Sequence, residues 1–143
     1  MVTLANISEM DRNLPNQFLI VRSAKTISPW MVHVPELSPT KELFFRYLDM
    51  KKNGRWDRTA FEEFYVPWFL RDIKANVGGS RDVLNNVCLR AGKGEDFTFG
   101  CMCTEESMCH RSIIGGLLLG AGCSVLTKEE KDYARYYDMY KLL

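Results

Sequence analysis

The sequence predicts an α/β fold, a single compact domain over residues 1–143 built on a mainly parallel sheet with helices on both faces. Three observations carry that expectation. Short apolar runs of β type alternate with stretches whose apolar residues recur at helical spacing, and this alternation implies right-handed crossovers between parallel strands. A chain of 143 residues is long enough for one domain to bury a core without disulfide or metal staples. No internal repeat or low-complexity segment interrupts the pattern.

The elements follow in order. Strands are expected at residues 2–5 and 18–22, with Asn13-Leu14-Pro15-Asn16 punctuating the loop between them. Three prolines within residues 23–39 mark an extended loop. Ser38 before Pro39 reads as a helix N-cap with proline at the first helical position. Leu43, Phe44, Tyr47 and Leu48 then form an apolar stripe that stops near Asn53-Gly54. Thr59 and Glu62 have capping-box spacing ahead of a helix whose apolar face holds Phe61, Phe64, Tyr65, Trp68 and Phe69. Pro67 removes a backbone donor there and predicts a kink, or a break into two helices. Ser80 opens the next helix, with Val83, Leu84, Val87 and Cys88 inward and Gly92 at its C-terminal end. A third strand is expected at 97–103, a helix at 109–121 and a fourth strand at 123–126. Residues 1–126 thus hold the core, and 127–143 read as a C-terminal helix, where Thr127 and Glu130 repeat the capping-box spacing. Tyr133, Tyr136, Tyr137 and Tyr140 read as its packing face, which a homo-oligomer interface would use equally well.

Composition narrows the function classes. Hydrophobic residues make up 46% and charged residues 26%, and the formal net charge is +1. Such a balance gives no global pull towards DNA or an anionic membrane, so any anion site must be local. The N-terminus lacks a basic segment followed by an apolar core, and no run approaches the ~18 apolar residues of a bilayer span. A cytoplasmic location and no membrane partner are expected. Three of the 5 cysteines fall within residues 101–109. With an odd count and no secretion signal, thiol or metal chemistry is a better explanation than a disulfide scaffold.

In parallel sheets ligands bind beyond the carboxyl ends of the strands. Two exits meet that description here, VRSAK after the second strand and GCMCTEESMCHR after the third. If those strands are neighbours, Arg22 and Lys25 face the cysteine loop across one crevice, and Trp30 is the aromatic nearest to hand. A helix beginning near Cys109 presents free backbone N–H groups and partial positive charge. Arg111 adds a guanidinium able to grip phosphate or carboxylate through two parallel hydrogen bonds. Cys109, beside His110 at that helix end, is a candidate for a depressed pKa and a reactive thiolate. Cys101 and Cys103 complete the candidate set, as the floor of a pocket whose polar contacts are His110 and Arg111. Cys88 and Cys123 read as small core residues, Glu105 and Glu106 as solvated surface, and His33 as structural or exposed.

Two other readings of the cluster rank below the pocket. The spacing C-x-C-x5-C-H supplies four zinc ligands, yet structural sites use C-x(2 to 4)-C knuckles, and adjacent ligands at a helix end are awkward for a tetrahedron. No metal is therefore expected. A redox pair of Cys101 and Cys103 would point to one face of a strand, but lacks the helix-terminal setting of C-x-x-C.

At these residues the chain resembles a family. Cys101, then a Cys or Glu two residues on (here Cys103), then Cys109-His110-Arg111 before an apolar helix is similar to the hallmark of the domain of unknown function 488 family. IVRSAK at a strand end, the proline-rich loop, ELSPTKELFFRY and W-x4-FEEFYVPWFLRDI follow in the family's order, so the likeness covers most of residues 1–126. The resemblance implies a compact, Rossmann-like α/β fold, and an association with nucleotides or nucleic acids. Many members carry an acidic residue where this chain has Cys103, so a carboxylate acid or base is missing there.

The functional expectation is a binding module. A crevice at the strand carboxyl ends takes a phosphate-bearing nucleotide, a nucleotide-derived signal molecule or a nucleic-acid end, as in a sequestering or accessory, phage-like protein without catalysis. The ligand set is Arg22, Lys25, Trp30, Cys101, Cys103, Cys109, His110 and Arg111. The alternative is an enzyme on a similar ligand, with Cys109 or Cys101 as nucleophile and His110 as base. A small zinc protein is the second alternative. The enzyme reading lacks a Gly-rich phosphate loop, a third residue to orient the histidine and an obvious acid, and no cofactor is expected.

Overall fold

The computed structural model describes residues 1–129 and 131–143. Five strands, β1 (Val2–Asn6), β2 (Gln17–Leu19), β3 (Val32–His33), β4 (Phe97–Cys101) and β5 (Val125–Leu126), form one sheet in the order β3-β2-β4-β1-β5. Every pairing is parallel, with Leu4 opposite Phe99 and Phe18 also opposite Phe99. The fold is therefore the α/β class that the alternation predicts.

Partnered residues of parallel strands point to the same side. Val2, Leu4, Phe18, Phe97, Phe99 and Cys101 share one face, all of them buried. Against it packs α5 (His110–Gly120), and it comes close because Gly115 has no side chain: a Cβ there would overlap Leu4. On the opposite face the 3-10 turn Ile7–Glu9 leads into Met10, which lies on Gly100. Gln17 and Thr98 are buried on that face and satisfy each other through a 2.9 Å hydrogen bond.

Helix α1 (Lys41–Lys52) begins two residues later than Ser38-Pro39 implies, because Ser38 Oγ donates to the Pro35 carbonyl, leaving Thr40 as N-cap. It ends at Asn53, and Gly54 takes φ 68°. The next helical run is α2 (Arg58–Ala60), a wide π-turn (Phe61–Tyr65) and α3 (Val66–Lys74). Its N-cap is Asp57, whose carboxylate accepts from Ala60 N, and the expected Thr59–Glu62 box does not form. Pro67 does not break the run. The π-turn immediately before it widens the spiral, which relieves the ring's clash with the preceding turn. Helix α4 (Ser80–Gly92) matches its expected limits.

The C-terminal segment departs most from expectation. Helix α6 spans only Arg135–Lys141, because residues 127–129 and 131–133 are held as a strap by Glu106. That carboxylate, 3% exposed, accepts from Lys128 N, Glu129 N and Tyr133 Oη. Glu106 is therefore a buried anchor and not solvated surface; Glu105 lies exposed and pairs with Arg58. Thr127 Oγ1 donates to the Glu129 carbonyl, and Glu130 of the expected capping box lies outside the described residues. Tyr133 and Tyr136 are fully buried against α5, where Gly116 meets the Tyr133 carbonyl and Gly120 meets Tyr137. No helix among the described residues is long and apolar enough to cross a membrane.

Candidate functional site

The exits of β2 and β4 are neighbours, since the two strands pair directly. Beyond them opens a cleft of about 740 Å³. Its floor is Cys101, Cys103, Cys109 and His110; its far wall is Phe44, Tyr47 and Lys51 of α1 with Trp56, Asp57 and Tyr65; Arg22 and Ser23 border it from the β2 side. The aromatic wall is interlocked. Tyr47 meets Trp56 edge-on with ring centroids 4.7 Å apart, and Trp56 meets Tyr65 edge-on at 5.6 Å.

Three local devices build the floor. Cys101 is the last residue of β4 and points to the α5 face. Cys109, the N-cap of α5, is extended (φ −116°, ψ 147°), while His110 is the first helical residue. That change of backbone geometry lets two adjacent side chains converge: Cys109 Sγ lies 3.6 Å from His110 Nδ1, and Cys101 Sγ lies 3.9 Å from it. Cys103 is held through its carbonyl, which accepts from Asn6 Nδ2 at 3.0 Å and Arg111 Nη1 at 2.8 Å. Its sulfur sits 3.8 Å from that of Cys101, and the three sulfurs all lie within 4.8 Å of one another.

The histidine's orientation is fixed from behind. His110 Nε2 is 2.7 Å from the Ile20 carbonyl, which can only accept, so Nε2 carries a proton and Nδ1 faces the sulfurs. His33 does the same one residue on, its Nε2 donating to the Val21 carbonyl at 2.8 Å. His33 is thus structural, and both carbonyls at the exit of β2 are satisfied by imidazoles.

Protonation follows from this packing. The Cys101 thiol is driven far below its ordinary value by hydrogen bonds from the Cys103 and then the Cys109 thiols, which outweigh burial; His110 adds to the effect. Cys103 moves up because its proton serves Cys101. Cys109 is pushed up to about 12, by burial first and then by the thiol of Cys101. The expected depression at Cys109 is therefore reversed, and the low thiol is Cys101. For His110, burial pulls the value down, but the charge on Cys101 and its hydrogen bond carry it above the ordinary value. The Tyr65 phenol stays neutral, through burial and then the nearby thiols.

Of the residues expected at the ligand, Arg22, Cys101, Cys103, Cys109 and His110 are brought to this cleft, and three are not. Lys25 is exposed and Trp30 half-buried against the core edge, because β3 pairs with β2 on the side away from β4 and draws residues 23–31 outward. Arg111 is 2% exposed and lies beneath the floor, pinning the Cys103 carbonyl. One helical step past His110 turns it away from the cleft. Tyr47 and Tyr65 read as core positions in the sequence, and Trp56 stands out only within the family-like pattern. Their convergence across two helical elements has no local signal.

A family model described as "Active DUF488-N3 subclade" matches residues 9–122, the span that contains the cleft and the Cys-His-Arg motif. Among curated proteins and among solved structures nothing matches the chain.

Proposed function

The chain belongs to the DUF488-N3 subclade, and from that premise we propose that its cleft binds a nucleotide-like ligand, a planar base carrying phosphate. The observation that carries the reading is the cleft's two-sided composition. One wall is lined by the aromatic rings of Tyr47, Trp56 and Tyr65, with the cation Lys51 among them, and Arg22 stands on the β2 side. A base stacks on such a wall, and a phosphate takes bidentate hydrogen bonds from Arg22. The position, beyond the carboxyl ends of neighbouring parallel strands, is where α/β sheets hold ligands.

A second reading is favoured by one observation, the facing of His110 Nδ1 towards Cys101 and Cys109. It makes the bound ligand a phosphate-ester substrate: the Cys101 sulfur attacks phosphorus, the bond to the leaving oxygen breaks as His110 gives that oxygen its proton, and His110 then takes a proton from the water that frees phosphate from sulfur. The subclade's description as active agrees with it.

Backbone amide NMR during titration with nucleoside 5′-monophosphates, the matching nucleosides, inorganic phosphate and a short single-stranded oligonucleotide tests the binding reading. Shifts should concentrate at residues 21–23, 47–57 and 101–110, and be larger for a nucleotide than for phosphate or nucleoside alone. A response only to the oligonucleotide would assign the cleft to nucleic-acid ends. No response to any probe would defeat the reading. Release of phosphate during the titration, absent in Cys101→Ser, would establish the second.

A further inference from the structure

We infer that Cys101, Cys103, Cys109 and His110 form a binding site for a zinc-class divalent cation at the cleft floor. The inference deepens the cleft reading by giving the pocket a metal floor, but its evidence is independent of any ligand.

The obstacle to such a site in the sequence is the adjacency of Cys109 and His110. The structure removes it, because the extended Cys109 and the helical His110 direct their side chains to one point. Around a tetrahedral zinc, with Zn–S about 2.3 Å and Zn–N about 2.0–2.1 Å, neighbouring sulfurs stand about 3.8 Å apart and sulfur to nitrogen about 3.6 Å. Here Cys101 and Cys103 are 3.8 Å apart, Cys109 to His110 Nδ1 is 3.6 Å, and Cys101 to His110 Nδ1 is 3.9 Å. The Cys109 sulfur lies within 4.8 Å of the other two, and the imidazole joins the three sulfurs on the side of Cys101 and Cys109.

The surroundings are those of a prepared site. Metal-bound imidazoles donate their other nitrogen to a carbonyl or carboxylate, as His110 Nε2 does to Ile20 at 2.7 Å. Cys103 is fixed by two donors on its carbonyl. Arg111 is buried, its Nε has no hydrogen-bond partner, and it forms no ion pair with a carboxylate among the described residues. A buried guanidinium needs a compensating anion. Three thiolates and a neutral imidazole around a divalent cation leave one net negative charge beside it. Occupied by a cation, Cys101 is no longer a free nucleophile, so the same measurement also bears on the second reading above.

The test is elemental analysis of the full chain from zinc-supplemented cells, followed by cobalt(II) titration of chelator-stripped protein, followed by visible absorption. Expected are ~1 zinc per chain and the intense d–d and thiolate charge-transfer bands of tetrahedral cobalt. Cys103→Ser, at the half-buried corner, should keep the fold by circular dichroism and bind cobalt roughly 10–100-fold more weakly. Cys88→Ser, away from the cluster, should bind as the parent does. Less than ~0.1 equivalent of zinc with no cobalt bands would overturn the proposal. So would equal affinity of parent and Cys103→Ser. With either of those outcomes in hand, nucleotide binding by the same protein would leave the cleft reading standing.

Discussion

At the residue scale the two arginines that the sequence assigns to the ligand part ways. Arg22 borders the cleft, while Arg111 lies under it. Loss of a charge-assisted contact of about 1.5–3 kcal/mol lowers affinity by roughly one to two decades. Arg22→Ala should therefore weaken binding of a nucleoside monophosphate by that factor in titration calorimetry, with an unchanged urea midpoint. Arg111→Ala should behave in the opposite way. It removes one of two donors on the Cys103 carbonyl and leaves a buried gap, so stability should fall by about 1–3 kcal/mol in urea denaturation. An Arg111→Ala protein of full stability would contradict the placement. Sequence reasoning finds the cysteines, His110 and Arg22 because their chemistry is local to two strand exits. It misplaces Arg111 because a residue type that grips anions reads the same whether it faces a ligand or a carbonyl.

At the element scale, close approach between α5 and the C-terminal segment depends on glycine. Alanine is favoured over glycine within a helix by about 1 kcal/mol, yet a Cβ at Gly116 would overlap the Tyr133 carbonyl. Overlap with backbone cannot be relieved by a rotamer change, so Gly116→Ala should destabilise by about 1–3 kcal/mol. Gly92, at the end of α4, has nothing within 4 Å of its added Cβ, and Gly92→Ala should be neutral or stabilise by up to about 1 kcal/mol. Equal urea midpoints for the two variants would refute this packing account. The apolar runs of β1 and β4, the alternation and the limits of α4 are legible in the sequence because one segment's own pattern determines them. Strand β3, the π-turn before Pro67 and the strap that Glu106 holds are not. They depend on a sheet edge, on a clash relieved in three dimensions, and on Glu106 reaching backbone amides about twenty residues away.

At the scale of the whole molecule, strand order makes the site. Pairing β2 directly with β4 joins two loops separated by some eighty residues, and α1 with the following turn closes the far side. The sequence raises that pairing as a condition, and only the assembled sheet meets it. The aromatic wall is a consequence of the same assembly, which is why no single stretch announces it.

In the proposed function this cleft takes a phosphate-bearing, base-containing ligand with Arg22 on the phosphate. Calorimetric titration of the parent and Arg22→Ala with a panel of nucleoside 5′-monophosphates and their nucleosides tests it most directly. At least one nucleotide should bind the parent more tightly than its nucleoside does, and should lose roughly tenfold or more in affinity on Arg22→Ala. Heats indistinguishable from dilution across the panel, or equal affinities for parent and variant, would contradict it.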